Sequence, residues 1–448
     1  MGEGGRRFES CHLDSRLKSL FYRGFFVLYI KCVKLLKIIY LIIFSSIFCQ
    51  IDHTLAEQYF EEAFMLCEKD GGKLWGISLY GPMYFGDATN DKFVTNQNII
   101  PNTPKPKYLG YTNAAFSWGD SLWSSYVWKL IPNDEKTRKR LLIHELFHRI
   151  QPDLDLLGNV SLNDNSHLDE LHGRYWLQLE RRALIKSLQS KGKKQIDAIK
   201  DALTFRQYRH SLFTNAAQEE QMNEINEGLA QYTATTIVNN SFDSACLDAI
   251  EQLKSHSQEE SFIKTFPYSS GAAYGMLLEK FSIQWTHSIT ITDDLGILLL
   301  EALDIQKLPN PKIAAKRYDG DNLLLVEIER NSKKSIILDS LKQIYVDGPK
   351  LTLSYANSAT FDAVGAISIP DIGTVYYNYN ATDKWGSLIS ASALILTKGR
   401  KIILPLDSSI TGSQFSGSGW EVKLNSGYKL VKGEKEGDYF VPREKNHQ

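Results

Sequence analysis

Two histidines four residues apart, with a glutamate directly after the first, are the residues of this chain best suited to chemistry: His144-Glu145-Leu146-Phe147-His148. On an α-helix four residues rise about 6 Å and advance about 40° around the axis, so both imidazoles leave from one face and can bind one metal ion. Glu145 is set back by one residue, beside such an ion rather than on it. A base belongs there, because a zinc ion can lower the pKa of a water to about 7 and a neighbouring carboxylate can take the released proton. Leu141, Leu142, Leu146, Phe147 and Ile150 supply apolar flanks that bury a helix, and Arg138, Lys139 and Arg140 are expected to face solvent before it. The alternative is a structural helix whose histidines are satisfied within the core.

Catalytic zinc usually takes three protein ligands and one water, so a third ligand is needed. A histidine six residues after His148 would supply it, but that position holds Leu154, and Gln151 stands where the arrangement needs glycine. A glutamate on a later helix remains. In Asn226-Glu227-Gly228-Leu229-Ala230-Gln231-Tyr232, Glu227 is followed by small residues that let its helix approach the first. Glu180, in LQLERR, is the competitor, although Arg181 and Arg182 beside it suggest an ion-paired carboxylate.

With these residues the chain resembles the gluzincins, zinc metallopeptidases with two histidines on HExxH and a glutamate from an E-G-x-A-type helix. The resemblance covers about residues 110 to 285. It implies His144, His148 and Glu227 as zinc ligands, Glu145 as general base, a zincin-like α+β catalytic domain and a peptide or protein substrate. Phe266-Pro267-Tyr268-Ser269-Ser270-Gly271 is similar to the Y-x-K-G segment of zinc aminopeptidases, which implies Tyr268 as hydrogen-bond donor to the oxyanion. Ser270 replaces the lysine of that pattern, Tyr274 is a second candidate, and core packing is the alternative for either tyrosine. Tyr111-Thr112-Asn113-Ala114-Ala115 lies where gluzincins place the edge strand that pairs with an extended peptide. An exported binding or adhesion protein on an inactive zincin scaffold is the rival reading.

The elements that must position these residues follow from periodicity. Residues 54 to 68 space apolar side chains at three and four, an amphipathic helix stopped by Gly71-Gly72. Residues 74 to 128 alternate aromatic and β-branched residues with turn signals, which predicts several short strands, the last leading from Trp123 to Trp128 toward the metal helix. Helical periodicity then predicts helices near 134–151, 166–190, 194–212, 217–238, 242–254, 270–283 and 293–303. Leu308-Pro309-Asn310-Pro311 marks the boundary between a catalytic domain over 50–308 and a β-rich domain over 309–448. Runs at 323–329, 335–339, 350–355, 374–379 and 401–406 predict its strands, an antiparallel all-β sandwich or partial barrel.

The 51 basic and 52 acidic residues leave no field to hold nucleic acid. Residues 38 to 48 (IIYLIIFSSIF) form an apolar run of signal-peptide length behind Lys31, Lys34 and Lys37. This predicts export, with residues 1–49 as the targeting segment, a membrane anchor over 25–48 as the alternative, and residues 1–20 as an overextended gene start. None of the five cysteines is spaced C-x-x-C, so cysteine is no metal ligand. Cys67 and Cys246 would remain after export, as one disulfide or two buried thiols. His167 and His172, five apart, are expected in solvated or capping roles, and Trp118, Trp123, Trp128 and Trp176 in the core.

Overall fold

The computed structural model describes residues 51–442 except 88–89, 99, 107–108, 110–111, 159–164, 357 and 408–409. The expected export segment or anchor, the suspect leader and Tyr111 therefore lie outside the described residues. Among the described residues no helix is long and apolar enough to cross a membrane. The chain divides into two compact units, Met1–Asp321 and Asn322–Gln448. The expected boundary after Leu308 falls inside the first unit, where Arg317 Nε and Tyr318 Oη each bond the buried Asp201 carboxylate at 2.9 Å.

The first unit begins with α1 (His53–Asp70), whose buried Ala56, Tyr59, Phe60, Ala63 and Cys67 recur at three and four. Asp52 caps it by accepting from the Leu55 amide, and Gly71, at φ 59°, takes the left-handed conformation that ends it. A four-stranded sheet follows: β1 (Met83–Asp87), β2 (Lys92–Thr95), β3 (Ala114–Trp118) and β4 (Ser121–Val127), in the order β2-β1-β4-β3. β1 runs parallel to β4 and the other pairs are antiparallel, leaving β3 as an edge. Trp118, Trp123 and, further on, Trp176 are buried, as expected of core residues.

Against this sheet lies α2 (Glu135–Ile150), capped by Asp134, which accepts from the Thr137 amide at 2.8 Å. Two buried hydroxyls fix it: Ser124 Oγ donates to the Glu145 carbonyl at 3.0 Å and Tyr126 Oη to the Leu142 carbonyl at 2.8 Å. Arg138 does not face solvent as expected. It is buried, with a two-pronged pair to Glu62 at 2.8 and 2.9 Å, its charge met by a carboxylate from α1.

Helices α3 (Leu171–Gln189), α4 (Lys193–Leu212), α5 (Ala216–Asn223), α6 (Leu229–Val238), α7 (Phe242–His256), α8 (Phe266–Phe281), α9 (Leu295–Ala302) and α10 (Pro311–Lys316) complete the unit. The helix expected over 217–238 is broken by a π turn at Glu224–Gly228, between α5 and α6. Cys67 and Cys246 are free and buried. Burial pushes their thiols up to about 12 and about 11, which keeps them protonated and inert.

The second unit is not all-β. Residues 323–339, expected as two strands, lie within one helix, α11 (Gly320–Lys342), continued by a π turn at Gln343–Asp347. The physical reason is that no glycine or proline interrupts residues 321–347, so the two runs join in one helix. Residues 323, 327, 330, 334, 338 and 341 are buried or half-buried at three and four, and Glu329 pairs with Lys333 at 2.7 Å on the exposed side. The remainder is a nine-stranded sheet, β5 to β13, from Lys350 to Phe440, including strands at the runs expected near 350, 374 and 401. Strand β8 (Gly386–Leu396) pairs with β7 (Gly373–Asp383) along its length, and on its other side with β11 (Trp420–Leu424) and then β9 (Lys401–Pro405). The layout is thus a mixed α/β, mostly helical unit followed by a sheet-rich one.

Candidate metal centre

His144 and His148 project from one face of α2, and the π turn delivers Glu227 to them. His144 Nε2 lies 3.0 Å from His148 Nε2, and Glu227 Oε2 lies 3.2 Å from the first and 3.4 Å from the second. A tetrahedral ion with bonds of about 2.0–2.1 Å holds its ligand atoms about 3.3 Å apart. The triangle has that size. Among the described residues these three form the group able to hold a metal ion.

The opposite edges of both imidazoles show which atoms face the triangle. His144 Nδ1 donates to Gln231 Oε1 at 3.1 Å, and His148 Nδ1 to Gln151 Oε1 at 2.6 Å. An amide oxygen only accepts, so each Nδ1 carries a hydrogen and each imidazole, when neutral, presents its lone pair at Nε2. The Gln151 amide is itself fixed by main-chain carbonyls, and Gln231 stands in the same orientation. Gln151 Nε2 donates to the carbonyls of Ile225 and Asn226 at 3.2 and 3.0 Å; Gln231 Nε2 donates to Gln252, whose own amide donates to Thr235. Two lone pairs and a carboxylate thus converge, an arrangement that calls for positive charge among them. Titration reflects the same demand: burial opposes charge on His148, but the hydrogen bond and charge of Glu227 outweigh it and raise the imidazole to about 9. Burial likewise opposes the Glu227 anion, yet hydrogen bonds to His144 and His148 hold its carboxyl well below the usual range.

Gln151 is the residue that sequence reasoning passed over, noted only as a glycine missing from another pattern. It is fully buried and ties the end of α2 to the π turn. Gln151→Leu should weaken metal binding by about 10- to 100-fold, the usual effect of removing a partner of a metal-bound histidine. Chelator competition would check this, and unchanged affinity would remove Gln151 from that role.

Glu145 sits beside the triangle, 6% exposed, with Oε2 buried and without a hydrogen-bond partner. Burial is the main reason its pKa is raised, against the lowering charges of His144 and His148. Tyr268, on α8, stacks its ring on His144 at 5.5 Å between centroids. Burial foremost, with the charge of Glu227, pushes its phenol up, so it stays a hydrogen-bond donor. One contact places both residues: Gly228, in the π turn, packs on Gly271 of α8, where an added Cβ would stand 2.2 Å from Gly228 Cα. The small residue after Glu227 therefore admits α8, the tyrosine-bearing helix, rather than the metal helix. Gly271→Ala should cost about 1–3 kcal/mol by overpacking and should also loosen the metal, by displacing Glu227. A melting curve paired with a metal titration tests this, and stability lost with metal affinity intact would mean that the contact does not position Glu227.

Glu180 and Tyr274 are elsewhere. Glu180 is fully buried, accepting from Arg209 Nη1 at 2.5 Å and from Tyr274 Oη at 2.6 Å, with Arg206 at 3.6 Å. Its ion pairs are with α4 rather than with the adjacent Arg181 and Arg182. The same network takes His167, which is buried and 2.8 Å from Glu220, contrary to the solvated or capping role expected; His172 is exposed.

A cleft of about 710 Å³ opens beside His144, lined also by Thr112 and Asn113 before β3, Glu145 of α2, Gln231 and Tyr268. The arrangement can hold a metal ion beside a buried carboxylate, a phenol and a sheet edge. No protein-family model matches the chain, no curated protein matches it, and no solved structure matches it.

Proposed function

We propose that this protein is a zinc-dependent metallohydrolase of the gluzincin type, a peptidase acting on peptide or protein substrates. The observation that carries the reading is the convergence of His144 Nε2, His148 Nε2 and Glu227 Oε2 at 3.0–3.4 Å, with Glu145 beside them. Two imidazoles and a carboxylate suit zinc. When bound, that ion would polarise the scissile carbonyl and acidify a water.

The protein's own groups supply the rest. Glu145, desolvated and with Oε2 free to accept, takes the proton of the attacking water and returns it to the leaving amine. Tyr268 donates to the oxyanion of the tetrahedral intermediate. An extended substrate pairs with the free side of β3 and enters the cleft past Thr112 and Asn113. Purified chain should hydrolyse a mixed protein substrate, with activity abolished by a zinc chelator and restored by zinc. Metal-loaded protein that cleaves nothing would overturn the enzyme reading and favour a binding role.

A further inference from the structure

Beyond His144 the cleft runs between α2 and α7, and its lining there is polar, with Arg140, Glu251, Gln252, Ser255 and His256 around Leu141. Arg140 stands four residues before His144, one turn away on the same helix face and about 6 Å along the axis. Its guanidinium is held from behind. Nη1 donates to Asp248 Oδ1 at 3.0 Å, and Asp248 is buried, its other oxygen accepting from Asn239 at 2.9 Å. Lys136 Nζ shares that same Asp248 oxygen at 3.0 Å, so two cations meet one buried carboxylate. Glu251, 3.8 Å from Lys136, is largely exposed, and solvent screens it. Arg140 therefore lines the cleft with donors that Asp248 does not use, Nη2 having only Thr137 Oγ1 at the long distance of 3.5 Å.

A guanidinium matches a carboxylate with two parallel N–H bonds, and an extended peptide advances about 3.3 Å per residue. With its backbone about 6 Å along the helix from His144, Arg140 lies within a few residues of the bond being cleaved. Resting on the metallopeptidase reading, we propose that Arg140 selects substrates carrying a carboxylate at that distance, either the C-terminus of the peptide or an acidic side chain.

Three thiol compounds distinguish the sources, since the thiolate of each holds the zinc: mercaptoacetyl-glutaminamide, which is otherwise neutral, mercaptoacetyl-glutamine, with a free α-carboxylate, and the α-amide of mercaptoacetyl-glutamate, with a side-chain carboxylate. Calorimetry on the zinc-loaded full chain should show at least one charged compound binding about 10-fold or more tighter than the neutral one. The compound that gains identifies the carboxylate recognised. That advantage should shrink at high salt and vanish in Arg140→Gln, with the neutral compound unaffected. Equal binding of all three to the unsubstituted chain would overturn the proposal alone, and needs no variant to fold. An advantage that survives in Arg140→Gln would do the same. Failure of all three to bind would overturn the metal reading and the proposal with it.

Discussion

Glu227→Ala should lose its metal and keep its fold, whereas Glu180→Ala should keep its metal and lose stability. Glu227 Oε2 is one corner of a triangle with sides of 3.0–3.4 Å, so alanine there removes one of three protein bonds to the ion. The loss in affinity should exceed the roughly 100-fold upper range for changes behind the ligands. Glu227 is a quarter exposed on its side chain, so the fold tolerates the change. Glu180 is the opposite case. Removing it takes one of two carboxylates from the buried Arg209, which keeps Glu220, and leaves the buried Tyr274 hydroxyl without its acceptor, at a cost of about 1–3 kcal/mol. Chelator competition and a melting curve on both variants separate the two effects. If Glu180→Ala does not fold, Glu180→Gln keeps a hydrogen-bonding group in place and allows the affinity to be read. Metal lost from the Glu180 variants and retained in Glu227→Ala would reverse the assignment.

Glu145→Gln should keep the metal and lower turnover by about 10²- to 10⁴-fold, the usual contribution of a general base. The substitution preserves size and removes the basic oxygen. Glu145 does not belong to the ligand triangle, and Ser124 holds its backbone carbonyl rather than its side chain, so neither the metal nor α2 should shift. Turnover on a hydrolysed peptide, with metal content measured on the same sample, gives the result. Full activity with metal bound would take Glu145 out of the reaction.

The triad residues could be read from the chain because helical spacing places His144 and His148 on one face, and because Glu227 stands beside Gly228. What could not be read is how Glu227 gets there. A continuous helix over 217–238 does not announce a π turn, and the turn packs through Gly228 on Gly271, a contact 43 residues apart in sequence. Such a contact has no local signature. Gln151 and Gln231 were hidden for the same reason, since a glutamine on a helix is ordinary until the imidazole it bonds is known. The error at 323–339 was of another kind. Two short apolar runs read as strands taken singly, and only the stretch across both, uninterrupted by glycine or proline, joins them in one helix. Arg138 and His167 carry types that are solvated by default, and only their pairing with Glu62 and Glu220, remote in sequence, offsets the cost of burying them.

Metal analysis of the full chain, purified without chelators and compared with a His144→Ala, His148→Ala double variant, tests the metal centre most directly. About one zinc per chain is expected in the unsubstituted protein and essentially none in the variant. A chain that holds no transition metal, or a double variant that holds as much, would contradict the assignment of His144, His148 and Glu227 as a zinc site.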